Sequence, residues 1–90
     1  MRGLRDLAGI GPAMLRDFEV LGVQTVEQLS RREPDELYQD LCRRTGKHHD
    51  ICCLDVFTAA IKQARNPDLP LEQRSWWYWS RVRKAAAASK

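Results

Sequence analysis

The sequence predicts an all-α fold: a compact bundle of five or six short helices in one domain spanning its 90 residues. Three observations carry this prediction. Apolar residues recur at i, i+3, i+4 and i+7, the stripe of a half-buried helix rather than the alternation of a strand. Helix punctuation recurs with them, with prolines at first positions, glycines at ends and Thr, Asp or Ser at N-caps. The composition, 43% hydrophobic and 30% charged, is that of a globular domain and excludes a disordered tail.

The elements follow in order. Leu4 and Leu7 predict a short first helix ending at Gly9. Gly9-Ile10-Gly11-Pro12 is a tight turn, and Pro12 opens a helix to about Val20 because its missing N–H is not needed there. Met14, Leu15, Phe18 and Leu21 form that helix's stripe, and Gly22 ends it as a C′ glycine. Thr25 is an N-cap, and Gln28 completes a capping box. This helix runs from Val26 to about Arg32, burying Val26 and Leu29, and Glu33-Pro34 breaks it. Pro34 opens the next helix, with Asp35 and Glu36 in its first turn, where the dipole favours acids. Leu37, Tyr38 and Leu41 form its stripe, and Arg43 and Arg44 precede Gly46.

Lys47-His48-His49 reads as a loop, and Asp50 caps a helix from Ile51 to about Arg65. That helix carries Ile51, Leu54, Val56, Phe57, Ala60, Ile61 and Ala64, so it is expected to be the central core helix. Residues 66–70 read as a loop. Ser75 caps a final helix from Trp76, whose end at Ala85–Ala88 is expected to fray. The organisation is thus a hairpin unit over about 4–29, core helices over about 34–65 and an aromatic, basic helix over about 75–88.

The net charge of +3 is the sum of unlike segments. Residues 1–16 hold three arginines against one aspartate, and residues 17–73 hold seven basic against eleven acidic side chains. Residues 74–90 hold five basic side chains and no acid. Both ends are basic around an acidic middle, either as solvated tails or as one shared positive face. No apolar run approaches the roughly 20 residues that span a bilayer. Met1–Asp6 has no apolar signal-peptide core. Three cysteines, two of them adjacent, do not make a secreted disulfide framework. A cytoplasmic protein without membrane association is expected.

The most informative stretch is Leu4-x-x-Leu7-x-Gly9-Ile10-Gly11-Pro12-Ala13-x-x-x-x-Phe18. A hydrophobic residue between two glycines, flanked by two helices, is the hairpin of a helix-hairpin-helix motif. The glycines permit backbone conformations that a Cβ forbids and let another backbone approach. Ile10 is expected to wedge between the two helices. The N–H groups of Gly11, Ala13 and Met14 lie at a helix N-terminus, an anion site suited to a nucleic-acid phosphate. Such a contact reads the backbone and not the bases.

The chain resembles the bacterial helix-hairpin-helix family of pathogenicity-locus or mitomycin-resistance-type proteins. The matching pieces are Leu7-x-Gly9-Ile10-Gly11-Pro12-Ala13, Asp35-x-Leu37-Tyr38-x-x-Leu41-Cys42, Thr45-Gly46, Asp50-x-Cys52-x-Leu54-Asp55-Val56-Phe57 and Trp76-Trp77-x-Trp79. They span Leu4 to about Lys84. The resemblance implies the fold and a role in DNA transactions such as repair, competence or stress resistance. The chain departs from DNA-binding hairpins after Pro12, where Ala13 replaces a frequent Lys or Arg and Met14 a frequent Thr or Ser. Arg5 and Arg16 are placed to compensate.

Three other features carry residue types capable of chemistry. Cys42, His48, His49, Cys52 and Cys53 are zinc-ligand types within twelve residues. Their spacing fits no standard zinc pattern, and core packing of the cysteines is the expectation. Asp55 lies inside an apolar helix, so it either faces solvent or is buried against an arginine or a tryptophan N–H. Trp76, Trp79 and Val82 share a helical face that is expected to close the core, with one ring left exposed. The alternative for these rings is base stacking beside Arg74, Arg81 and Arg83.

The expected function is a sequence-nonspecific DNA-binding module and not an enzyme, with no cofactor and no metal. Gly9, Ile10, Gly11, Pro12, Ala13 and Met14 would hold a phosphate of double-stranded DNA, and Arg5, Arg16, Arg81 and Arg83 would add attraction. The alternative is a protein-interaction or self-associating domain with a vestigial hairpin.

Overall fold

The longest apolar segment becomes the helix on which the others pack. A computed structural model describes residues 3–88. A 3-10 turn over Leu4–Asp6 comes first, then α1 over Pro12–Val20, α2 over Val26–Ser30, α3 over Pro34–Thr45 and α4 over Cys52–Arg65. A second 3-10 turn over Leu71–Arg74 leads into α5 over Trp76–Ala88. Among the described residues there is no strand, as the sequence predicts. Helix α4 packs on α2, α3, α5 and the second 3-10 turn, and α1 packs on α3.

The core is built from the predicted stripes. Phe18 of α1 meets Phe57 of α4 with ring centroids 5.8 Å apart, and both are fully buried. Leu29, Leu37, Leu41 and Ile61 complete the centre. Ile10, Met14, Leu15, Tyr38 and Cys53 pack on its margin. The end of α1 closes as the glycine signal predicts. The Gly22 N–H bonds to the Glu19 carbonyl and the Val23 N–H to the Phe18 carbonyl at 2.9 Å. Buried Val23 thereby sits beside buried Phe18, the apolar contact of this capping motif.

Several boundaries differ from the sequence reading. The first helix is a single 3-10 turn, because Leu7 is already extended at ψ 139°. Helix α2 stops at Ser30, where Arg65 of α4 takes over the carbonyls of Ser30 and Arg32 at 2.9 and 3.0 Å. Thr25 caps α2 by accepting from the Gln28 N–H, but the Gln28 side chain accepts from Gln24 rather than from Thr25. Helix α4 starts at Cys52, one residue late, with the Asp50 carboxylate accepting from the Cys52 N–H at 3.0 Å. Helix α5 continues through Ala88, across the alanines expected to fray. Ile51 is exposed, whereas Phe57, Ala60, Ile61 and Ala64 are buried as expected.

The last helix is rotated relative to the prediction. Asp55 is buried, and Arg83 of α5 pairs with it through two bonds of 3.0 Å from Nε and Nη2. This is the arginine partner anticipated for a buried acid. Bringing Arg83 inward also brings Trp79 and Ser80 inward, since positions three and four apart share a helical face. Trp76, Trp77 and Val82 are left exposed, and Trp79 donates its indole N–H to the Gln73 carbonyl at 2.6 Å. The face through Trp76 and Val82 therefore does not close the core. The carboxylate's need for a paired cation outweighs the indole's preference for burial.

Arg83→Ala is expected to destabilise the fold by about 3 kcal/mol, the low end of the range of roughly 3–5 kcal/mol for stranding a buried charge, because the guanidinium is part-exposed. Replacing both partners, Asp55→Leu with Arg83→Met, is expected to recover most of that loss. Urea denaturation of the three proteins checks this; a double variant no more stable than Arg83→Ala would refute it.

Candidate nucleic-acid interface

The turn over Leu7–Gly11 is held to the core by one side chain that sequence reasoning missed. Gln63 of α4 is buried. Its Oε1 accepts from the Ala8 N–H at 2.9 Å, and its Nε2 donates to the Ala8 carbonyl at 3.1 Å. Nε2 also reaches the Arg74 carbonyl at 3.5 Å. One amide thus ties the turn and the lead-in to α5 to the same point on α4. The available signal was a glutamine at helical spacing from Ala59 and Ala60 in an otherwise apolar face.

The two glycines of the turn differ. Gly9 has φ 81°, a conformation that L side chains resist. Gly11 caps α1 in the extended region at φ −99° and ψ −176°, and a Cβ there would meet nothing within 4 Å. The expectation that both glycines are conformationally required is corrected: of the two, the fold requires only Gly9. Ile10 packs against the core margin from between them.

Helix α1 starts with Pro12, Ala13 and Met14. The N–H groups of Gly11, Ala13 and Met14 have no acceptor among the described residues, while Leu15 N–H bonds to the Gly11 carbonyl. Pro12 and Ala13 are exposed, and Gly11 and Met14 are half-buried. No acid stands in the first turn of α1 or of α5, unlike those of α2, α3 and α4. The positive end of the α1 dipole is therefore not offset by a carboxylate of its own first turn.

The predicted cations separate into groups. Arg16 is exposed and bonds back to the Pro12 carbonyl at 3.5 Å, which draws its guanidinium over the first turn of α1. Arg5 is exposed and makes no ion pair among the described residues. Arg81 is exposed and lies 4.6 Å from the centroid of the Trp77 ring. Arg83 is not a free cation: Asp55 takes its charge, and this pair also raises its pKa above the ordinary arginine value. Arg83 shares a groove with Pro34, Asp35 and Trp79, away from the turn.

The glycine turn and the start of α5 meet, and Arg74 is the basic side chain between them. A cleft of about 170 Å³ lies between the turn and the start of α5. Ala8 and Gly9 form one side, Trp76 and Trp77 the other, with Val56 and Ala59 of α4 and Arg74 among the rest. No acid lines it. Several acids of the middle segment have arginine partners of their own. Asp40 contacts Arg32, Arg43 and Arg44, and the Arg43 hydrogen bond holds its carboxyl below the usual range. Glu33 pairs with Arg65, and Glu36 with Arg32.

The cysteine and histidine cluster is bound up in local structure. The His49 N–H bonds to Cys42 Sγ at 3.5 Å, and the Tyr38 hydroxyl donates to the His49 carbonyl. Thr45 Oγ1 donates to the Leu41 carbonyl, so it accepts from His49 Nε2 at 2.8 Å, which fixes the proton on that nitrogen. Hydrogen bonding to Asp50 pushes the Cys52 thiol up, and burial does the same for Cys53. Among the described residues no three His, Cys, Asp or Glu side chains converge as a metal site. Asp17 is raised by burial, against the pull of His49 and Arg16.

The fold and this surface define a class: a small all-α protein that presents a glycine turn and an aromatic helix start across one acid-free cleft. The family model described as Cdd1, pathogenicity locus, matches residues 1–85. Mitomycin resistance protein McrB of Streptomyces lavendulae is 33% identical over 87 residues, covering 97% of this chain and 79% of that protein. The chain belongs to the Cdd1 pathogenicity-locus family. No solved structure matches it significantly. Among the described residues, no helix is long and apolar enough to cross a membrane.

Gly9→Ala is expected to cost about 1–2 kcal/mol, the penalty of a left-handed φ, whereas Gly11→Ala is expected to be neutral or to stabilise by up to about 1 kcal/mol. Gln63→Glu, which keeps the acceptor but faces a carboxylate to two carbonyls, is expected to cost about 2 kcal/mol or more. Thermal and urea denaturation test both statements. Equal costs at the two glycines, or a neutral Gln63→Glu, would contradict the geometry.

Proposed function

We propose that the chain is a non-enzymatic, sequence-nonspecific DNA-binding module of helix-hairpin-helix type, holding a phosphate of duplex DNA on the backbone of its Gly9–Met14 turn. The observation that carries this reading is the start of α1. Three N–H groups there lack an acceptor among the described residues, no acid occupies the first turn, and Gly11 is a glycine that the fold itself does not require. A glycine on open backbone leaves room for an incoming phosphate to approach the N–H groups. Arg5, Arg16 and Arg81 supply the surrounding charge. Arg83 drops out of the binding set because its charge is spent on Asp55.

The proposed setting is cytoplasmic DNA repair, competence or stress resistance, the last in keeping with a relative named for mitomycin resistance. A second reading is favoured by the exposure of Trp76, Trp77, Val82 and Leu71. These make an apolar surface for a protein partner or a second copy, and sedimentation mass together with copurification tests it.

Titration of a short labelled duplex by fluorescence anisotropy tests the first reading. Affinity is expected to fall about tenfold to hundredfold between about 50 and 200 mM salt, the counterion release of roughly two to four phosphate contacts. Gly11→Val, folded by circular dichroism, is expected to lose about tenfold or more, as a side chain comes between phosphate and N–H. Absence of binding at low salt, or unchanged binding by folded Gly11→Val, rejects the reading.

A further inference from the structure

We infer that the cleft beside the turn takes an unpaired base, so that the protein favours DNA whose duplex ends in or is interrupted by single strand. The inference rests on the phosphate reading above and adds a ligand subsite to it. Trp76 and Trp77 are consecutive, so their rings splay about 100° apart around the helix. They stay 45% and 43% exposed at the edge of the cleft. Two neighbouring indoles left this open are a large apolar surface with no partner in the chain's own core.

The cleft's contents select the occupant. Its volume of about 170 Å³ is well below the roughly 300–1,000 Å³ of drug-sized pockets, and matches a single flat ring system better than a peptide segment. Val56 and Ala59 give it an apolar floor, and Gly9 gives it a wall of bare backbone. Arg74 lines it, and the Arg81 guanidinium lies over one face of the Trp77 ring, 4.6 Å from its centroid, so a base would stack on the opposite face with a cation behind the ring. Flat apolar surface beside fixed positive charge is the arrangement that stacks bases of single strands while attracting their phosphates. The Gln63 amide fixes the spacing, because it holds Ala8 and the Arg74 carbonyl at once. A base in the cleft would belong to a nucleotide adjoining the phosphate at the α1 start. In an intact duplex every base is stacked and paired and none is available to it. A protein side chain or a second copy of the chain is the competing occupant.

The test compares two labelled duplexes, identical except for a few unpaired thymidines at one end. The wild-type chain is expected to bind the overhang about tenfold more tightly than the blunt duplex, the stacking contribution of about one base. Tryptophan fluorescence is expected to be quenched by the overhang. Trp77→Ala and Trp77→Leu, both at an exposed position, are expected to bind the overhang no better than the blunt duplex while keeping blunt-duplex binding nearly unchanged. Leucine retains apolar bulk without the ring face, so its agreement with alanine assigns the effect to stacking. Equal wild-type affinity for the two duplexes, or an equal loss on both from the Trp77 variants, overturns the base site and leaves the phosphate reading standing. Binding to neither overturns both. A wild-type dimer that splits on Trp77→Ala and shows no overhang preference assigns the cleft to a second copy and overturns the base site.

Discussion

The amide of Gln63 is the contact on which the arrangement of the surface depends. A turn of backbone such as Leu7–Gly11 has polar groups that neither a helix nor a sheet will satisfy, and burial of its inner edge makes those groups costly. Gln63 answers both polar groups of Ala8 with its two ends, and the same Nε2 reaches the carbonyl of Arg74. The orientation is fixed, since only Oε1 accepts the Ala8 N–H. Two segments distant in sequence are thereby anchored to one residue of α4.

The pair of Asp55 and Arg83 sets the rotation of α5 in the same way. A buried carboxylate without a partner is far more costly than an exposed indole. The helix therefore turns its arginine inward and leaves Trp76 and Trp77 at the surface. The exposed rings are the complement of a buried charge, and they fall beside the turn because α5 begins where Gln63 holds Arg74. The Lys62 ammonium, 5.4 Å from the Trp79 ring centroid, adds a further link between α4 and the inward side of α5. Structural contacts and the proposed binding surface thus draw on one run of α4 side chains.

Much of the fold was legible. Pro12 and Pro34 mark the starts of α1 and α3, and Gly22 and Gly46 follow their ends. The apolar spacing names Phe18, Leu29, Leu37, Leu41, Phe57 and Ile61 as core. The glycine turn was legible as a motif, but the separate reasons for its two glycines were not. Gly9 needs its residue type for φ and Gly11 does not, and a string of letters carries no dihedral. Arg83 was misread as a surface cation because its partner lies 28 positions away. The cysteines were expected in the core, but all three are only half-buried, with Cys53 on the core margin and Cys42 accepting from the His49 N–H, because the loop before α4 folds back on α3.

The sequence alone determined the helical class, the order of the helices, most of the buried apolar set and the chemical character of each end. These follow from interactions within a turn or two of chain: capping, dipole preference and the 3.6-residue period of burial. Tertiary structure decided which cations remain free, which tryptophans are exposed and that the glycine turn adjoins the start of α5. Each of those depends on pairing across the bundle, between Asp55 and Arg83 and between Gln63 and Ala8. Local spacing holds no information about such partners, because the free energy that selects them arises only when the helices have packed and water has been excluded between them.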